Sequence, residues 1–234
     1  MIKNEMTREL FSKKLEARYR YFLLSLQKLA TLNIIADLTE NSYSTKTIQD
    51  INFRLSNDFP ECYTTILTDE EISKFATSGT FKSLMREQSV IAMCSILEEY
   101  IDSLLEITKL SKNKAASYDQ VEQDFNLSGV NNKTLKKIYY IIKEFKPLGH
   151  PFQAKQTITL LGEIFAIRNA LVHSGGNIIK ESSDNAIYDN FKSAGKIILP
   201  DNSIDDLIHR ILIYMCSLTL IIDNYLETNT SRVE

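Results

Sequence analysis

The sequence predicts an all-α protein, a helical bundle of four or five main helices with a small β-hairpin between the last two. Three observations lead there. Helix breakers are scarce, with seven Gly and four Pro in 234 residues. Apolar residues recur at three- and four-residue spacing through several long windows, the period of a helix that buries one face. Capping residues open several of those windows, and a Gly-Gly pair closes one of them. The composition, 44% hydrophobic and 24% charged, is that of an ordinary globular domain. The length suits one domain over 1–234.

The N-terminal helix is expected over 1–38, because Leu10, Leu15, Tyr19, Phe22, Leu26 and Leu29 recur at helical spacing. The stretch 39–67, punctuated by Asn, Ser, Thr and Asp58-Phe59-Pro60, reads as an irregular connector. Thr68 with Glu71 three residues on forms a capping box and opens a short helix to about Phe75. A strong helix follows over 81–110, and a short one is expected near 118–126. Asn131 or Asn132 then caps a helix over 133–145. Pro147 and Pro151 bracket a tight loop before a helix over 152–174, which Gly175 stops. The apolar runs NIIK (177–180) and KIILP (196–200) frame a polar stretch and suggest the hairpin. The last helix runs from Ser203 through Tyr225.

Several function classes find no support in the chain. The net charge of −3 does not advertise a nucleic-acid binder, although local charge matters more. Cys62, Cys94 and Cys216 stand far apart, so neither a disulfide framework nor a zinc site is indicated. No P-loop, GxGxxG or HExxH occurs, and no cofactor or metal is implied. The most apolar run, 211–222, is shorter than a membrane span and is bounded by Arg210 and Asp223. A cytoplasmic protein with no membrane association is the expectation.

Within the 152–174 helix the stretch FAIRNALVHSGG (165–176) breaks the pattern. On a wheel, Ile158, Leu161, Ile164, Phe165, Arg168 and Leu171 share a stripe, which puts a guanidinium in line with core residues. A second stripe, Lys155, Thr159, Gly162, Ala166, Asn169 and His173, is narrow, small and polar. Arg168 and His173 lie about 140° apart on an ideal helix. Two copies of the helix about a two-fold axis would bring them together better than one copy can. Two structural alternatives stand beside this. Arg168 could pair with Glu98, Glu99 or Asp102 in the core, and His173 could simply be a favourable cation at a helix C-terminus.

The stretch IRNALVHSGG resembles the R-x4–6-H motif of the HEPN superfamily, small helical bundles that include many metal-independent ribonucleases. The polar residue after the arginine and the place of the motif near the end of a late helix are similar to that family, as is ILEEYIDSLL (96–105). The resemblance covers 81–227. It implies Arg168 and His173 as a catalytic pair with Asn169 as their positioning partner, and RNA cleaved through its own 2′-hydroxyl without a metal. It also implies a homodimer with a composite site, in a toxin or anti-phage defence setting where an antitoxin or defence-system partner is expected. Six lysines against Glu144 give 131–155 a net charge of +5, and Lys143, Lys146 and Lys155 are candidate RNA-binding residues beside that pair. The alternative is a non-catalytic module of the same kind that binds RNA or a partner protein.

Overall fold

The structure, a computed structural model, describes residues 12–39, 68–109, 133–145, 154–174, 176 and 191–230. Among them are six helices and one two-stranded hairpin: α1 (Lys13–Thr39), α2 (Asp69–Thr77), α3 (Thr80–Ile107), α4 (Lys133–Phe145), α5 (Ala154–Ser174), β1 (Lys192–Ser193), β2 (Lys196–Ile197) and α6 (Ser203–Thr230). The fold is the all-α bundle that the spacing predicts. The connector 39–67 (beyond Thr39), the expected helix at 118–126, the loop around Pro147 and Pro151, and the caps Asn131 and Asn132 lie outside the described residues.

Helix α1 buries Leu15, Tyr19, Phe22, Leu26 and Leu29, the stripe read from the sequence. It runs antiparallel to α3. Lys14 meets Glu106 at one end, Phe22 stacks on Tyr100 with centroids 4.4 Å apart, and Asn33 donates to Ser89 Oγ at 2.7 Å at the other end. Ser12 caps α1 by accepting the Leu15 N–H at 3.3 Å. The buried Asp223 of α6 accepts the Ser12 N–H at 3.2 Å, which sets a carboxylate at the positive end of the α1 dipole. Thr68 and Glu71 form the reciprocal capping box of α2.

Helices α3, α5 and α6 carry most of the fully buried side chains, including Met93, Leu97, Ile164, Phe165, Met215 and Ile222. Arg86 of α3, itself buried, donates to the Leu199 carbonyl at 3.2 Å and pairs with Asp201. That ties the segment before α6 to the bundle.

The hairpin is present but differs from the expected one. KIILP supplies β2, yet its partner is Lys192–Ser193, with Lys192 opposite Ile197. The reversal is made at Ala194 and Gly195, both with positive φ (47° and 77°), the backbone of a tight turn that matches strand twist. The NIIK run lies outside the described residues.

Candidate functional site

From Leu160 onward, where its side chains are described, helix α5 passes from core to surface. Leu160, Leu161, Ile164, Phe165, Ile167 and Ala170 are buried, as is Glu163. Beyond Ala170 the helix outruns the bundle: Leu171 is half-buried, while Val172 and His173 are exposed. Among the described side chains the expected core stripe holds from Leu161 to Phe165 and fades at Arg168, which is half-buried; Ile158 lies outside them. The guanidinium sits where core gives way to solvent.

The carboxylate partners proposed for Arg168 do not take it. Asp102 instead pairs with Lys137 of α4, Nζ to Oδ1 at 2.5 Å. Neither Glu98 nor Glu99 forms an ion pair with Arg168. Its hydrogen bond is to its chain neighbour, Nη1 to Asn169 Oδ1 at 3.0 Å. Its Nε–H is enclosed and meets no acceptor among the described residues. A partly desolvated guanidinium with one neutral acceptor retains most of its capacity to bind an anion. Asn169 holds its fork in place from the exposed side.

Arg168 faces α3. Its charge is felt at Cys94, whose thiol burial pushes up to about 12, with Arg168 pulling it back down in part and Glu98 pushing it further up. The Cys94 thiol lies 3.9 Å from the Ile164 carbonyl. Sequence reading missed Cys94 as a neighbour of the site; the register between α3 and α5 has no signature in either helix alone.

His173 is exposed in the last turn of α5 and makes no hydrogen bond among the described residues. As the basic residue of that last turn it also complements the helix dipole. Three residues on, Gly176 (φ +81°) turns the chain back, donating its N–H to the Ala170 carbonyl at 3.0 Å. Its own carbonyl accepts the Ile197 N–H at 2.8 Å. The hairpin is thereby fastened beside the end of α5, with Lys196 and Ile198 exposed on it.

The small-residue stripe is partly occupied. A Cβ built on Gly162 would meet Leu135 Cδ1 of α4 at 3.5 Å, so this glycine faces α4 rather than open surface. Ala166 packs against the core. The face left for a second copy is the last two turns, where Asn169, Val172 and His173 are exposed. Of the Lys-rich segment, Lys137 is committed to Asp102 and Lys133 is exposed. Lys146 and the side chains of Lys143 and Lys155 lie outside the described residues, as does His150. His209 is exposed on α6. Among the described residues no three His, Cys, Asp or Glu side chains converge as metal ligands, and no helix is long and apolar enough to cross a membrane.

Comparison with protein-family models, with curated proteins and with solved structures finds no match for this chain.

Proposed function

We propose that this chain is a metal-independent endoribonuclease of the HEPN type, acting as a homodimer in a toxin or anti-phage role. One observation carries the proposal: Arg168 is half-buried without a carboxylate partner, at the open end of the helix that also exposes Asn169 and His173. An enclosed guanidinium favours an anion, and the anion it suits best is one whose two oxygens match its fork, as a phosphate does.

In the proposed reaction the RNA 2′-hydroxyl loses its proton to a histidine and attacks the adjacent phosphorus. The bond to the 5′-oxygen breaks, and that oxygen takes a proton from a protonated histidine. The products are a 2′,3′-cyclic phosphate and a 5′-hydroxyl. His173 is suited to both proton transfers because imidazole titrates near neutrality. Arg168 would hold the phosphate as its charge builds, an electrostatic effect that is usually the largest single contribution. Asn169 would keep the guanidinium aligned. One His173 would make the two transfers in turn, taking the 2′-hydroxyl proton and returning one to the 5′-oxygen, while the Arg168 of its mate across a two-fold axis holds the phosphate.

A second reading, a non-catalytic module that binds RNA or a partner protein, is favoured by one observation. His173 has no hydrogen-bond partner among the described residues to fix its tautomer. Cleavage of RNA in EDTA separates the two. The wild type should cut, leaving 2′,3′-cyclic ends, and Arg168→Ala and His173→Ala should each lose about 100-fold or more. A wild type that binds but never cuts RNA, or variants that cut equally well, would remove the catalytic reading.

A further inference from the structure

The turn that carries His173 lies beyond the buried part of α5, and hydrogen bonds trace what holds it. The helix leaves the core after Ala170, and His173 is exposed. The Gly176 N–H reaches back over this last turn to the Ala170 carbonyl at 3.0 Å. The Gly176 carbonyl accepts the Ile197 N–H at 2.8 Å. Gly176 itself is buried. His173 thus stands inside a loop that Gly176 closes, and Gly176 is held by β2.

The strand is held in turn from α3. Ile197 and Leu199 are buried, and the Ile198 N–H donates to the Phe191 carbonyl at 2.8 Å. Just past β2 the Leu199 carbonyl accepts Arg86 Nη1 at 3.2 Å, and Arg86 Nη2 pairs with Asp201. Arg86 is buried, whereas the Asp201 side chain is 84% exposed. The two contacts differ in weight. An ion pair open to water on one side is screened and contributes little. A bond from a charged donor to a buried carbonyl is stronger, and removing such a donor leaves the carbonyl desolvated and unpaired. Asp201 therefore aims the guanidinium fork, and the bond to Leu199 does the holding. On the next turn of α3 Ser89 accepts a hydrogen bond from Asn33 of α1 at 2.7 Å, so the end of α3 that bears Arg86 is itself fixed.

We propose that Arg86 is a positioning residue for His173: through Leu199 and β2 it fixes Gly176, and Gly176 fixes the last turn of α5. The catalytic consequence rests on the ribonuclease reading; the clamp on the turn does not. Arg168 lies on the other side of the boundary. It stands between the buried Ile167 and Ala170, on the part of α5 that the core holds without the clamp. Loosening the clamp therefore separates two functions that a general loss of stability would damage together. Proton transfer by the histidine suffers, and phosphate binding by the arginine does not.

The test uses the full chain and three variants. Arg86→Met keeps bulk and removes the donors. Arg86→Lys keeps a charge that can serve Leu199 or Asp201 but lacks the fork to serve both. Asp201→Ala changes an exposed position and breaks only the ion pair. Amide hydrogen exchange is read at Gly176 and Ile197, with Leu26 of α1 as the internal reference. In Arg86→Met, exchange at Gly176 and Ile197 should quicken about tenfold or more while Leu26 stays within about twofold. In RNA cleavage its kcat should fall about tenfold with KM within about twofold of wild type. Arg86→Lys should lie between wild type and Arg86→Met in both readouts. Asp201→Ala should quicken exchange at the same two amides by about threefold, which decides the matter if Arg86→Met does not fold. Unchanged exchange in the folded variants, or exchange that rises equally at Leu26, would overturn the proposal. So would quickened exchange with kcat intact, or with KM raised in its place. A wild type that cuts no RNA would remove the ribonuclease reading alone, and exchange at Gly176 would still decide whether Arg86 holds the turn.

Discussion

At Arg168 the sequence posed a cost that the structure resolves only in part. A guanidinium at the edge of the core calls for an acid, and Asp102, one acid the sequence offered, is engaged by Lys137. Cys94, on the neighbouring turn of α3, is the internal reporter of that environment. Its thiol is fully buried and held protonated up to about 12, with burial as the main cause. Burial likewise pushes the Tyr19 and Tyr100 hydroxyls well above the usual phenol range. All three groups bind their protons more tightly when folded than when unfolded. Their contribution to stability is therefore complete below the unfolded values and is lost as pH rises through the folded ones. The thermal midpoint should be level up to about pH 9, where an unfolded thiol titrates, and fall steadily above it, more steeply past about pH 10 as unfolded tyrosines ionise. Circular dichroism melts from pH 7 to pH 11 check this, and a midpoint that stays flat to pH 11 would contradict it.

Helix α5 shows what one element can and cannot announce about itself. Gly162 lies mid-helix, where glycine costs about 0.5–1 kcal/mol relative to alanine. The space its Cβ would enter is an ordinary contact distance from Leu135. Gly162→Ala should therefore raise stability by up to about 1 kcal/mol, read as a higher urea midpoint at unchanged slope. A destabilised variant would mean that α4 cannot tolerate the added methyl. The existence and order of the helices were legible because apolar spacing and caps are local: Thr68 with Glu71, and the Leu15-to-Leu29 stripe, each identify an element unaided. The hairpin was legible in kind but not in register, since its turn depends on Ala194 and Gly195 adopting positive φ. Arg168 and His173 could be picked out by residue type. What faces them could not, because the partners of Arg168 depend on Lys137 claiming Asp102 from another helix.

For the whole molecule, the question is whether one chain holds a complete site. Asn169, Val172 and His173 are exposed together at the free end of α5, and Arg168 lies behind them, about 140° around the helix from His173. Gly162 faces Leu135 of α4 and Ala166 packs against the core, so the proposed two-fold contact would fall on the last turns of α5, with each His173 taken to meet its mate's Arg168. That geometry makes a quantitative demand. Arg168→Ala and His173→Ala chains, each inactive alone, would form mixed dimers in which one of the two sites joins an intact arginine to an intact histidine. Random exchange puts half the dimers in the mixed state, so co-refolding equal amounts should restore about a quarter of wild-type cleavage if each site takes one residue from each chain. If the pair acted within a single chain, no mixture would recover activity, and the composite site would have to be abandoned even if the chain dimerises. Recovery well below a quarter but above either parent would mean that each site draws on both arginines or both histidines.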